Sequence, residues 1–230
     1  ILLKTLNGNI VLTTTDLELG VVSKVRGKID KEGSFTIDSK LLLDYITLLP
    51  NRKINIEQID KKIVIQSDNY KTAIKGTDSE DFPLIPKIEK KNSYKIKISD
   101  FKKALSQIIF AVSVNETRVE LSGVLFYFKG SKLTLVATDS YRLAEKTIDI
   151  QSETNNEKKV IIPSKTLQEV VRILSIVNEN ELDSGVIELY LSENQIMFSV
   201  ENTEIVSRLI EGQYPDYEQI IPTKHETKIK

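Results

Sequence analysis

The chain has 230 residues, 28% of them charged, with 32 Lys and Arg against 33 Asp and Glu; that length allows one large domain or two ordinary ones, and the even balance neither announces nor excludes a nucleic-acid partner. The absence of Cys removes disulfides, thiolate catalysis and Cys-based metal sites and fits a reducing cytosol. The single histidine, His225, lies in a polar C-terminal segment and reads as a surface residue, and no apolar run approaches the roughly 20 residues that cross a bilayer, so a soluble, cytoplasmic protein with no membrane partner is expected.

In chain order, Ile10-Val-Leu-Thr-Thr-Thr-Asp16 reads as an alternating strand that ends in Thr-Asp. Ser34-Phe-Thr-Ile-Asp-Ser-Lys40 leads into a helix with Leu41, Leu42, Tyr45, Ile46, Leu48 and Leu49 as its apolar positions and Asp38 or Ser39 as its cap. Residues 53–59 and 63–67 form a strand pair, and Asp81-Phe-Pro-Leu-Ile-Pro86 closes this stretch. A helix over 100–112 follows, capped by Ser99, with Phe101, Ala104, Leu105, Ile108 and Ile109 as its buried stripe. Leu133-Thr-Leu-Val-Ala-Thr-Asp139 is again a strand ending in Thr-Asp. Val160-Ile-Ile-Pro-Ser-Lys165 runs into a helix with Leu167, Val170, Val171 and Leu174 on one face and Ser164 as its cap. Across Ser192-Glu-Asn194, Ile187, Leu189 and Leu191 answer Ile196, Phe198 and Val200 in a hairpin. Gln213-Tyr-Pro-Asp-Tyr-Glu-Gln-Ile-Ile-Pro222 closes the second stretch.

The two stretches are copies of one another. Asp139 follows Asp16 by 123 residues and Lys165 follows Lys40 by 125; the offset drifts between elements, where loops accept insertions. Helices against an antiparallel sheet make each copy an α+β module. The expected organisation is a first module over 1–88, a second over 92–222, and the start of a third at 223–230. The counterpart of residues 99–123, which carry the second module's first helix, is expected to precede Ile1.

Ser122-Gly-Val-Leu-Phe126, Thr134-Leu-Val-Ala-Thr-Asp-Ser-Tyr-Arg-Leu-Ala144 and Tyr214-Pro-Asp-Tyr217 together resemble the second domain of the beta subunit of bacterial DNA polymerase III, the sliding clamp. The resemblance implies a duplicated DNA-clamp fold, three modules per subunit, and a homodimeric ring around duplex DNA with helices lining the pore. It implies a non-catalytic accessory subunit without cofactor or metal, whose partners are sequence-independent DNA, the polymerase III catalytic subunit, the clamp loader and other proteins with clamp-binding motifs. A sliding clamp needs cations that meet phosphates loosely and no base readout. The resemblance places Lys40, Lys165 and Arg172 toward the DNA, with Lys102 and Lys103 as further candidates. It also places Leu121, Thr138, Ser140, Tyr141, Arg142, Leu143, Pro215 and Ile220 on the wall of a partner-peptide pocket, which the third module would complete. Ser140-Tyr141 stands where Gly-His is commoner and Gln219 where many members have Arg, so peptide preference departs from the family's usual pattern.

Two other readings compete. Thr138-Asp139 with Arg142 could be a phosphate or metal site, but one Asp without a carboxylate partner is a poor ligand set, and no Gly-rich phosphate loop, His-x-x-x-His pair or Gly-x-Ser-x-Gly elbow is present. Two modules could instead be the whole subunit of a three-subunit ring, as in the eukaryotic and archaeal type; the Ala-Thr-Asp string and the missing first helix argue against this.

Overall fold

The computed structural model describes all residues except 87, 115–116, 154–155, 178–184 and 222–230. His225 and the expected start of a third module therefore lie outside the described residues. The first half runs β1 (Leu2–Leu6), β2 (Asn9–Thr15), β3 (Leu19–Arg26), β4 (Ser34–Ile37), α1 (Ser39–Leu48), β5 (Asn55–Ile59), β6 (Lys62–Ser67) and β7 (Tyr70–Asp78). The second half runs β8 (Tyr94–Lys97), α2 (Ile98–Ile108), β9 (Gly123–Lys129), β10 (Lys132–Thr138), β11 (Leu143–Asp149), β12 (Gln151–Ser152), β13 (Lys158–Pro163), α3 (Ser164–Ile176), β14 (Val186–Leu191), β15 (Gln195–Val200) and β16 (Thr203–Arg208). From β1 and β9 onward, and apart from the two-residue β12, the two halves repeat the same order, three strands, a fourth, a helix and three more strands, as α+β copies of one plan.

All strand pairings are antiparallel. One sheet has twelve strands in the order β12-β8-β14-β15-β16-β3-β2-β1-β4-β7-β6-β5, and a second has four, β11-β10-β9-β13. The long sheet crosses from one half to the other where β16 pairs β3, from Thr203 opposite Ser23 to Ser207 opposite Leu19. Within the second half an isolated bridge, Ile161 to Ile210, ties β13 to the segment after β16, and Tyr94 of the long sheet meets Phe128 of the four-stranded one at 4.2 Å.

The larger core lies between α2, α3 and the sheets. Phe101 from α2 meets Phe126 edge-on at 6.1 Å and stacks on Phe198 at 6.2 Å. The expected hairpin forms with Leu189 opposite Phe198 and Leu191 opposite Ile196. The α2 stripe of Phe101, Ala104, Leu105 and Ile108 is buried, while Ile109 belongs to a following 3-10 turn, Ile109–Ala111.

Two local expectations change, both at helix starts. The second-half helix begins at Ile98, so Ser99 lies inside it and Lys97 holds the cap position without a side-chain bond; burial of Ile98, with its N–H donated to the Gly185 carbonyl at 3.1 Å, draws the helix start inward. Ser164 too lies inside its helix, as the first helical residue after Pro163. Asp38 does cap α1, accepting from the Leu41 N–H at 2.8 Å. Finally, no α1 residue is fully buried: Leu42, Tyr45, Ile46 and Leu49 rest on a smaller core of Leu3, Phe35, Ile37, Ile63, Ile65 and Ile74, but Leu41 is exposed and Leu48 is 81% exposed. In the second half α3 packs beside α2.

Candidate functional site

The strand β10 ends in a turn that its own side chains close. The Thr138 hydroxyl donates to the Arg142 carbonyl at 2.8 Å and accepts from the Ser140 N–H at 3.1 Å. Asp139 Oδ1 accepts from the N–H groups of Tyr141 at 3.0 Å and Arg142 at 2.9 Å, and Oδ2 accepts from Arg142 Nε at 3.0 Å. The backbone N–H groups of Arg142 and Tyr141, then the Arg142 side chain, hold the Asp139 carboxyl below its ordinary range. Ser140 takes φ 76°, a left-handed conformation that glycine adopts without cost. This is the position where Gly is commoner in the family the sequence resembles. The Arg142 guanidinium lies over the Phe110 ring, 5.5 Å from its centroid, and Arg118 Nη1 donates to Ser140 Oγ at 3.4 Å.

Next to this turn, Leu143 packs half-buried against the cluster of Leu125, Val136, Ile161 and Tyr217 on the outer face of the four-stranded sheet, as do Ile210 and Tyr214. The Tyr214-Pro-Asp-Tyr217 motif is thus what covers that face. Burial pushes the Tyr214 phenol up to about 12, and its hydroxyl donates to the Val136 carbonyl at 3.4 Å. Tyr217 is also raised, by burial and then by its bond to Glu145. A groove runs beside the motif, lined by Leu125, Ile161, Ile210, Tyr214, Pro215 and Tyr217 among others.

The eight pocket candidates divide accordingly. Thr138, Ser140, Tyr141 and Arg142 share one turn, with Tyr141 97% exposed, and Leu143 joins the tyrosine cluster. Pro215 lines the groove, and the other seven do not. Leu121 is only 2% exposed in the 3-10 turn Val119–Ser122, so it backs the surface rather than presenting a wall. Ile220 is 63% exposed. Phe110 and Arg118 were not among the sequence candidates; an aromatic just past a helix end is a signal only once its contact with Arg142 is known.

The cation candidates lie on the helices. Lys40 is exposed in the first turn of α1; on α2 Lys103 is exposed and Lys102 half-buried. On α3, Arg172 Nε pairs with Glu169 at 2.7 Å and Lys165 Nζ with Asp16 Oδ2 at 2.9 Å. Asp16 belongs to the first half's own Thr-Asp turn, and its role was not foreseen.

Among the described residues no group of three or more His, Asp or Glu could hold a metal ion, and no helix is long and apolar enough to cross a membrane. With both Asp139 oxygens engaged inside the turn, the arrangement is a structural fixture beside an apolar, tyrosine-covered surface, suited to docking.

Two copies of one α+β module, joined edge to edge through β16 and β3, define a protein of the DNA-clamp class. The chain belongs to the DNA polymerase III beta subunit family, matching its N-terminal domain over residues 1–86 and its central domain over 95–216. It is 30% identical to the beta sliding clamp of Staphylococcus epidermidis over 229 residues, and 31% identical to that of Staphylococcus aureus. Each match covers 96% of this chain and 59% of the relative, so the chain spans about 59% of the length of these relatives. In structure it is similar to a putative DNA polymerase III beta subunit from Eubacterium rectale (TM-score 0.89, 30% identity, 98% of this chain and 60% of that one). It is also similar to the DNA polymerase sliding clamp of Bacillus subtilis (TM-score 0.88, 27% identity, 97% and 60%).

Proposed function

We propose that this chain is part of a cytoplasmic sliding clamp, a non-catalytic processivity factor that encircles duplex DNA without reading its sequence. It tethers the polymerase III catalytic subunit, the clamp loader and other partners through short peptide motifs. The modules are residues 1–88 and 92–222, with 223–230 beginning a third, and the full-length subunit is a homodimer.

The join between β16 and β3 is the observation that carries this reading. By element order β7 is the counterpart of β16, and β11 that of β3. Residues 70–75 of β7 pair β6 on one side only, and β11 pairs only β10 among the described residues. The chain therefore makes one head-to-tail join internally and offers the two complementary strand edges at its ends. Repetition of one heterologous join generates a ring when the rotation closes. Exposed edges of this kind are otherwise covered in soluble proteins. Lys40, Lys102, Lys103 and Arg172 are the cations assigned to the DNA side; Lys165, expected there as well, is paired with Asp16. Leu121, Thr138, Ser140, Tyr141, Arg142, Leu143, Pro215 and Ile220 form the partner surface, with Leu121 as its backing.

The test uses the full-length protein, loaded on nicked circular DNA and separated by gel filtration before and after the DNA is cut once. Topological encirclement predicts retention on the circle and loss from the linear form. Equal elution from both would refute encirclement.

A further inference from the structure

The second Thr-Asp turn is self-contained, because Arg142 of the same turn fills the outer carboxylate oxygen of Asp139. The first turn has the same backbone bonds but no arginine: the residue matching Arg142 is Leu19. The Thr15 hydroxyl donates to the Leu19 carbonyl at 2.8 Å and accepts from the Leu17 N–H at 2.9 Å. Asp16 Oδ1 accepts from the N–H groups of Glu18 at 3.1 Å and Leu19 at 2.8 Å. Its Oδ2 accepts instead from Lys165 Nζ, 149 residues away in the next module.

That contact is not isolated. Thr166, adjacent to Lys165, forms a buried 2.7 Å hydroxyl pair with Ser207. Ser207 lies opposite Leu19 in the join, and the Arg208 N–H donates to the Glu18 carbonyl at 3.1 Å. The start of α3, the end of β16 and the first turn thus meet at one place. Asp16 is held below its ordinary range by the Leu19 N–H first and by Lys165 next, and Lys165 is held above its own by Asp16, as two charges that stabilise each other require.

We infer that the Thr15–Leu19 turn is a docking fixture for the second module, and that Lys165 serves this joint, with Asp16 as its standing partner in place of a passing phosphate. The first module's turn is thereby occupied by its own chain, which leaves the second module's turn, with its internal Arg142, as the one open to a peptide. The second part of this consequence rests on the clamp reading; the ion pair and its joint do not.

A water-soluble carbodiimide couples a carboxylate to an amine only when the two are in contact, so it reads this pair directly in the full-length protein. Digestion and mass spectrometry should find an Asp16–Lys165 amide in the free protein, lost in Lys165→Arg, which keeps the charge but has no amine to couple. In protein isolated on circular DNA its yield should stay above half of the free value. Absence of the link in free protein overturns the joint, whatever the protein does with DNA. A yield that falls by half or more on DNA shows Lys165 leaving Asp16 for phosphate and overturns its assignment. As a second measurement, Asp16→Asn should leave the retention half-life on DNA within twofold of wild type; a longer half-life would mean that the freed ammonium contacts DNA, and would also overturn it.

Discussion

The two Thr-Asp turns use the same side chains for the same backbone bonds, yet their outer faces are built for different neighbours. In the second turn Leu143 follows Arg142 and packs against the cluster that contains Tyr217. In the first, the matching residue is Gly20, and a Cβ built there would lie 2.6 Å from Ile85 Cδ1, so the proline motif of the first module occupies the space that a side chain would need. The same comparison holds for charge: Arg142 answers Asp139 from within the turn, and Lys165 answers Asp16 from the next module. A repeated fixture thus becomes a surface in one copy and a joint in the other through two substitutions, Leu19 for Arg142 and Gly20 for Leu143. The lesson is that closure of the turn depends on the Thr and Asp, while its use depends on the two residues that follow.

Closure can be broken in either copy. Thr138 is buried and its hydroxyl both donates and accepts, so Thr138→Val should cost about 2 kcal/mol by leaving the Arg142 carbonyl and the Ser140 N–H unsatisfied. Thr15 is only half-buried, water can replace its hydroxyl, and Thr15→Val should cost about half as much. Urea unfolding of the two full-length variants checks the order; a larger loss at Thr15 would mean that the joint, and not the turn, depends on it.

Leu143→Ala tests the use of the second turn. A half-buried leucine should lose about 1.5 kcal/mol, less than a core leucine. Affinity for a polymerase-derived linear motif should fall about tenfold, as for an anchor within a docking surface. Destabilisation of core size with unchanged affinity would return Leu143 to the packing under the tyrosines. The reciprocal change, Gly20→Leu, should cost about 1 kcal/mol through crowding of Ile85, and Ile85→Ala should recover most of it. No recovery would show that the crowding falls on the neighbouring backbone.

Much of this was legible in the sequence, for reasons the elements make plain. The strand pairs and both Thr-Asp ends could be read because a period of two and a turn closed by its own side chains are local properties. The copies then supplied each other's alignment. The start of α2 was misplaced because Ser99 is a good cap by type, whereas burial of Ile98, a tertiary fact, decides the boundary. On α1 the spacing of six apolar positions marks a helix but does not say which side meets the sheet, and Leu41 and Leu48 are exposed. The candidate surface was read by resemblance, which cannot foresee that Leu121 is buried while Pro215 lines a groove. Asp16 and Lys165 were beyond reach altogether, since nothing at either position marks a partner 149 residues away.

The smallest predicted effect separates the two turns by their response to acid. Asp16 is held below the ordinary carboxylate range by the Leu19 N–H, by Lys165 and by the Glu18 N–H. A carboxyl with a lowered folded pKa contributes stability that is in full above its unfolded value, about 3.9, and that is lost as pH falls through the folded value. Asp16→Asn should therefore destabilise the full-length protein at pH 7 by a few tenths of a kcal/mol, no more, because the pair with Lys165 is exposed and screened. The gap between wild type and variant should begin to narrow below about pH 4 and close only below the folded value. Lys165→Met should move the Asp16 titration, followed by carboxyl carbon chemical shift, part of the way back up. Asp139, held by the Arg142 and Tyr141 N–H groups and its own arginine, should not respond. If Asp16 titrates unchanged without Lys165, the backbone N–H groups alone set its charge, and the two turns differ in packing only.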